Sequence, residues 1–242
     1  MSGYRLTYKF YGKSAILIEW PSKIDKNILN DVVLFKNKII KNNAKQIVDI
    51  INTYSSITII YHHTINIIYD DILALKSLYE QEISKESVQN YRWDIPVCYD
   101  KKFGIDLEEL ESENDLTYNE IISLHSSAIY TVYFIGFLPG FLYLGGLDKK
   151  LHIPRKSNPR LRVEKGSVAI GGIQTGIYPS ISAGGWHIIG KSPISFFNSG
   201  SDEPCFAKSG DEIKFIPIDM STYNQIESKI SRGSFKLKKS EL

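Results

Sequence analysis

The stretch FIGFLPGFLYLGGL (residues 134–147) opens a segment rich in glycine and proline that continues to Pro193. This segment holds eleven of the 17 glycines and five of the nine prolines. Glycine permits positive φ angles, whereas proline fixes φ and lacks an N–H donor, so both are disfavoured inside helices. We therefore expect short strands joined by shaped turns, and we expect the shape of this segment to matter more than one reactive side chain.

Short β-rich runs surround this stretch. The predicted strands are residues 94–99, 130–135, 166–170, 174–177, 186–190, 195–197 and 213–218. Most are bounded by Gly, Pro, Asn or Asp, and many short strands with frequent turns are typical of a closed or nearly closed barrel. Helices are predicted at 107–110 and 118–124, the second with a capping box formed by Thr117 and Glu120. The basic tail after residue 230 is expected to be a solvated end.

The N-terminal third predicts a different unit. Strands are expected at residues 5–10, 15–20, 48–51 and 56–61, with a helix starting after Asp25 and another from Asp70. This order predicts a small α/β sandwich domain over residues 1–88, a linker over 84–92 and a barrel domain over 93–232. The fold class is therefore α+β.

Composition excludes several classes of partner and site. The formal net charge of +2 gives no reason to expect binding to nucleic acid or to an anionic membrane. Cys98 and Cys205 lack the spacing of metal ligands, and no other cluster of His, Cys, Asp or Glu has it, so no metal site is predicted. Without a signal-like or membrane-spanning run, the chain is expected to be soluble and cytoplasmic.

One motif has a misleading form. Residues 185–192 read GWHIIGKS, which satisfies the phosphate-loop pattern. A phosphate loop must open a helix, whose N-terminal amides hold the anion. Here Pro193 follows directly and the next residues favour a strand, so we interpret the match as a coincidence.

Three arginines are candidates for anion binding. Arg155 and Arg160 each follow a proline, and Arg162 lies two residues further on. A restrained backbone can place a guanidinium for a carboxylate or phosphate. The alternative is that these arginines are solvated or pair with internal carboxylates such as Glu164.

Polar groups in the same segment suggest a small-ligand pocket. They are Gln174, Thr175, Tyr178 and His187, beside the aromatic residues Phe137, Phe141, Tyr143 and Trp186. For the aromatic residues, ordinary filling of a barrel is the alternative. His125 is a candidate general base, or else a histidine that bonds a carbonyl at a helix end.

Together these motifs carry a resemblance to a known family. They are the 133–147 run, the two Pro-Arg pairs, GSVA at 166–169, QTGIYP at 174–179 and GGW at 184–186. The chain resembles the family of the 5-oxoprolinase B subunit, also called the KipI or allophanate hydrolase subunit 1 family, over nearly its whole length. It departs from the family pattern at turn positions near residues 100–105, Glu164 and Ala183.

The resemblance implies an N-terminal α/β domain and a cyclophilin-like β-barrel. It also implies a complex with the C and A subunits of 5-oxoprolinase, in which the B and C subunits use ATP to phosphorylate 5-oxo-L-proline and the A subunit opens the activated ring to L-glutamate. In that complex we expect His125 and Arg155 to be catalytic. The expected substrate-binding residues are Arg160, Arg162, Gln174, Thr175, Tyr178, His187, Phe137 and Tyr143. Which of these subunits holds ATP is left open, and inhibition of a sensor histidine kinase is the alternative function.

Overall fold

The computed structural model describes residues 3–43, 45–65, 68–81 and 89–242. The chain divides into two compact units, Met1–Val88 and Gln89–Leu242. Most of the predicted 84–92 linker lies outside the described residues, but residues 91 and 92 already belong to a strand of the second unit.

The first unit is a four-stranded antiparallel sheet packed with two helices. Its elements are β1 (Thr7–Phe10), β2 (Ala15–Glu19), α1 (Lys26–Asn43), β3 (Ile47–Asn52), β4 (Ser56–Tyr61) and α2 (Ile68–Glu80), with strand order β1-β2-β4-β3. Alternate residues of the central strands, such as Ile16 and Ile57, are buried against Val32 and Phe35 of α1. Apolar residues that recur every second position in the strands and about every 3.6 positions in the helix thus form one shared core, as predicted.

The second unit is built on a closed seven-stranded barrel. Its strands are β5 (Tyr91–Cys98), β6 (Ile129–Ile135), β7 (Leu142–Gly145), β9 (Ser167–Gly171), β10 (Gln174–Ile177), β12 (His187–Lys191) and β13 (Glu212–Ile218). The hydrogen-bonded order is β12-β9-β10-β7-β6-β13-β5, and pairing of Lys191 in β12 with Cys98 in β5 closes it. The predicted α+β class with a barrel is confirmed.

Shorter elements decorate the barrel. They are α3 (Leu107–Asn114), α4 (Tyr118–Ser127), a 3₁₀ turn (Lys149–Leu151), the β8 (Arg160–Val163) and β11 (Ser182–Gly184) ribbon, and α5 (Met220–Ser231). The predicted capping box is present, since the Thr117 hydroxyl accepts from the Glu120 amide and the Glu120 carboxylate accepts from the Thr117 amide. The core of this unit includes Val97, Val132, Ile170 and Phe215.

Some local predictions were wrong. Residues 195–197 form no strand; Phe196 is instead buried in an irregular segment. The tail is not a free end, because β14 (Lys239–Glu241) pairs with β5 on the barrel. The Lys239 ammonium lies 4.2 Å from the ring centroid of Tyr91, so a basic side chain here covers an aromatic ring.

Two further predictions concern the glycine-rich segment and membranes. GWHIIGKS is largely strand β12 with no helix after it, as expected for a coincidental motif match. Within the described parts of the chain, every helix is too short or too polar to cross a bilayer.

Candidate functional site

An aromatic pocket of about 330 Å³ opens on the surface of the barrel unit. It is lined by Phe137, Phe141, Tyr143, Arg155, Lys156, Pro159, Tyr178, Trp186 and residues 183–185. The Phe141 ring is central: it meets Tyr178 and Trp186 edge to face, with centroid separations of 5.4 and 5.5 Å. These contacts hold the walls in fixed orientations.

Glycine makes room for these rings. A Cβ atom on Gly184 would lie 2.2 Å from the Tyr178 hydroxyl oxygen, and one on Gly171 would lie 2.5 Å from the Trp186 ring. Both separations are far below van der Waals contact. The density of glycine in this segment therefore serves close packing of the pocket walls as well as turns.

Phe137 forms an exposed edge of the aromatic pocket. Its φ angle is 65°, in the left-handed region that a residue with a Cβ seldom adopts. The side chain is 65% exposed, and its ring meets that of Phe141 edge to face, with centroids 5.7 Å apart. A strained backbone that presents an aromatic ring to solvent is a feature typical of binding sites.

Arg155 supplies the positive charge of the aromatic pocket. Its guanidinium lies over the Trp186 ring, 5.6 Å from the centroid. Among the described residues no carboxylate pairs with it. Burial raises the pKa values of Tyr143 and Tyr178, and the positive charge of Arg155 opposes both shifts. The arrangement therefore suits an anionic group on a ligand that also has an apolar part.

The other two predicted arginines have carboxylate partners and do not line the pocket. Both Nη atoms of Arg160 donate to Asp106, at 2.9 and 2.5 Å. Arg162 Nε donates to Glu164 at 2.7 Å. The alternative of internal ion pairs therefore describes Arg160 and Arg162, and the backbone restraint at Arg160 serves local structure.

Lys156 is a pocket residue that sequence reasoning missed. Its ammonium lies 3.2 Å from Asp106 Oδ1 and also contacts the Glu109 carboxylate. Its amide donates to the Gly185 carbonyl, which anchors this loop beside Trp186. Its position directly after Arg155 was the available signal, but its acidic partners, Asp106 just before α3 and Glu109 within it, are distant in sequence.

His125 lies in the barrel core and not in the pocket. Its side chain is fully buried, with Nδ1 2.7 Å from the Tyr99 hydroxyl and Nε2 2.9 Å from Thr175 Oγ1. The Thr175 hydroxyl donates to the Ala169 carbonyl, so Nε2 carries the hydrogen and Nδ1 accepts from Tyr99. Burial lowers the pKa of His125 to about 3.

This geometry argues against the roles expected of two residues. A fully buried, neutral imidazole with both nitrogens engaged is not placed to exchange a proton with a ligand. Thr175 is equally buried and serves as its partner. We therefore leave His125 and Thr175 out of the proposed site.

The remaining expected residues separate into two groups. Phe137, Tyr143 and Tyr178 line the aromatic pocket together with Arg155. Gln174 begins β10 and does not line it, while His187 is buried at the start of β12. His187 Nε2 lies 3.0 Å from the Pro154 carbonyl oxygen.

A second cavity of about 540 Å³ lies between the end of β5, α4 and the start of α5. Its lining includes Cys98, Tyr118 and the carboxylates of Asp100 and Asp219. Both carboxylates accept hydrogen bonds from nearby backbone amides, those of Lys102 and Thr222. Although this cavity is larger, its charged groups have structural roles, so the aromatic pocket is the better candidate.

Comparison with known proteins places the chain in a family. Residues 6–207 match the family model of the carboxyltransferase domain, subdomain C and D. Over 223 residues the chain is 35% identical to the 5-oxoprolinase B subunit of Bacillus subtilis, covering 88% of this chain and 93% of that protein. The chain belongs to the family of the 5-oxoprolinase B subunit.

The chain is also similar to a second member of this family and, in fold, to a more distant solved structure. The 5-oxoprolinase B subunit of Escherichia coli O157:H7 is 38% identical over 192 residues, which cover 77% of this chain and 88% of that protein. The Kluyveromyces lactis urea carboxylase structure superposes with a TM-score of 0.80 at 20% identity, over 99% of this chain and 24% of that chain. That likeness concerns the fold alone.

Proposed function

We propose that this chain is the B subunit of a 5-oxoprolinase, and that its aromatic pocket holds 5-oxo-L-proline by its carboxylate. Family membership supports the role, and one structural observation carries the site. Arg155 is held over Trp186, at the aromatic pocket, without a carboxylate partner among the described residues. A flat, partly apolar ring bearing one carboxylate matches such a pocket.

In this proposal the residues that line the aromatic pocket have distinct roles. Arg155 binds the substrate carboxylate through charge-assisted hydrogen bonds, and the rings of Tyr143, Tyr178 and Trp186 pack on the lactam ring. Fixed walls orient the amide oxygen toward the surface opening. ATP would supply a phosphoryl group to this oxygen and leave as ADP, which activates the carbonyl carbon of the ring for attack by water and cleavage of the C–N bond. A pocket of about 330 Å³ suits the small substrate, so we assign the nucleotide to the partner protein.

The C and A subunits of 5-oxoprolinase are the proposed partners in the cytoplasm. The aromatic pocket is open, and apolar side chains stand exposed on this segment, with Phe137 65% and Leu161 93% exposed. Exposed apolar side chains of this kind are typical of protein contact sites. We therefore expect the C subunit to close the pocket, and we expect little activity from this chain alone.

Reconstitution tests the proposal. Adding the C and A subunits to this chain should give 5-oxoproline-dependent ATP hydrolysis with glutamate as product. Arg155→Ala should raise the KM for 5-oxoproline by about tenfold or more. Arg162→Ala is the matched control because Arg162 is paired with Glu164 outside the aromatic pocket. Equal kinetics in the two variants would remove the assignment of Arg155.

A protein ligand is the alternative occupant of the aromatic pocket. The exposed ring of Phe137 beside the Arg155 charge also fits a segment of another protein, as an inhibitor of a sensor histidine kinase would need. If the reconstituted complex is inactive and this chain alone blocks kinase autophosphorylation, the inhibitor function replaces the enzymatic one.

A further inference from the structure

Three side chains of kinds that can bind a metal ion lie close together beside Lys156. They are Asp106, which precedes α3, Glu109 in its first turn, and His187 at the start of β12. One ligand atom from each lies within 4.8 Å of the others. The sequence could not reveal this cluster, because about 80 residues separate His187 from the two carboxylates.

The hydrogen bonding of His187 leaves one nitrogen ready for a ligand. Nε2 lies 3.0 Å from the Pro154 carbonyl, and since a carbonyl oxygen only accepts, Nε2 carries the hydrogen. Nδ1 of the neutral ring then has a lone pair. It is buried, lacks any hydrogen-bond partner, and lies 3.7 Å from Glu109 Oε2.

This is the arrangement that a metal-binding histidine has. Such a histidine donates its second N–H to a carbonyl or carboxylate, which fixes the tautomer and turns the other nitrogen to the metal. Here the lone pair of Nδ1 faces a carboxylate, and two electron-rich atoms at this separation are stabilised by a cation between them. His187 is 3% exposed, so water is not an easy substitute.

Lys156 now occupies part of this position. Its ammonium contacts Asp106 Oδ1 and Glu109 Oε2 but not His187 Nδ1, which stays unpartnered. Asp106 accepts three other hydrogen bonds, two from Arg160 and one from the Ile188 amide. Displacement of the Lys156 ammonium would therefore make room for an ion at Asp106 Oδ1, while these bonds hold the carboxylate in place. A divalent ion could bind both carboxylate oxygens that the ammonium now contacts. It could also bind His187 Nδ1, which the ammonium does not contact.

We propose that Asp106, Glu109 and His187 form a binding site for one divalent transition-metal ion of the Zn²⁺ type, and that the Lys156 ammonium holds the site when the ion is absent. One imidazole nitrogen and two carboxylate oxygens form a ligand set that Zn²⁺ and Co²⁺ accept. Binding would release the Lys156 ammonium toward the aromatic pocket, which Lys156 also lines. The site does not rest on the proposed function.

Titration of the purified full-length chain with Co²⁺ tests the site. We expect one ion to bind per chain, with visible absorption and a paramagnetically shifted proton signal from the buried His187 Nε2–H. Glu109→Gln should weaken binding about tenfold or more. Glu108→Gln is the matched control on the same helix, where Glu108 pairs with Lys101, and it should bind as the wild type does.

Lys156→Met gives a test in the opposite direction. Removing the competing ammonium should tighten Co²⁺ binding by about tenfold. The site is refuted if neither the wild-type chain nor Lys156→Met binds one ion, or if Glu109→Gln and Glu108→Gln have equal affinities. It is also refuted if binding occurs without a shifted imidazole proton, because His187 would then not be a ligand.

Discussion

The buried imidazole of His125 should make the barrel unit unusually sensitive to acid. In the folded protein its pKa is lowered to about 3, whereas an unfolded chain has the ordinary value of 6.5. Between these values the unfolded chain binds a proton that the folded chain does not, so stability falls as the pH falls. Each pKa unit corresponds to about 1.4 kcal/mol, which gives a loss of about 3 kcal/mol between pH 7 and pH 4.

Urea unfolding at several pH values measures this loss. Trp20→Phe restricts tryptophan fluorescence to Trp93 and Trp186, which both belong to the barrel unit. His125→Gln in this background removes the titrating group and keeps an amide donor for Thr175. We expect His125→Gln to be less stable at pH 7 by about 1–3 kcal/mol, since a buried hydrogen bond is disturbed.

The variant should nevertheless lose less stability on acidification. Carboxylates contribute equally to both proteins, so the difference between them isolates His125. Its pH 7 to pH 4 loss should be smaller by about 3 kcal/mol. His152→Gln, at a partly exposed histidine outside the core network, should behave as the wild type does. Identical pH dependence in the wild type and His125→Gln would refute the assignment of a buried neutral imidazole.

Two further predictions concern the aromatic pocket. Phe137→Gly should relieve the positive φ and raise the free energy of unfolding by about 1 kcal/mol, while it lowers turnover of the reconstituted enzyme. Destabilisation in urea would show that the turn is not strained. Gly184→Ala should lower stability by about 1–3 kcal/mol, because its Cβ would meet the Tyr178 hydroxyl oxygen at 2.2 Å; an unchanged melting temperature would contradict this packing.

The fold could be predicted largely from the sequence because its signals are local. Alternating strands, an amphipathic helix after Asp25 and the box of Thr117 and Glu120 each act within a few residues. The wrong predictions concern segments whose structure depends on contacts with residues that are distant in sequence. The tail became a strand because β12 pairs with β5 at Cys98, which leaves residues 91–93 of β5 to pair with β14. Residues 195–197 stayed irregular while Phe196 filled the core.

The candidate site could be predicted only in part, for the same reason. The proline beside Arg155 and the aromatic pattern pointed to residues that line the aromatic pocket together. Nothing near Arg160 in sequence indicated that its guanidinium would form an ion pair with Asp106, 54 residues away. His125 likewise carried the chemistry of a base, but its burial among Tyr99 and Thr175 depends on closure of the barrel.

The most direct test compares two substrates in the reconstituted complex. 5-Oxoproline and 2-pyrrolidinone share the lactam ring, but only the first has a carboxylate. The wild type should prefer 5-oxoproline in kcat/KM by roughly 10- to 100-fold, the worth of a charge-assisted hydrogen bond, and Arg155→Ala should lose most of this preference. If Arg155→Ala keeps the full preference, another group binds the carboxylate and the proposed site is wrong.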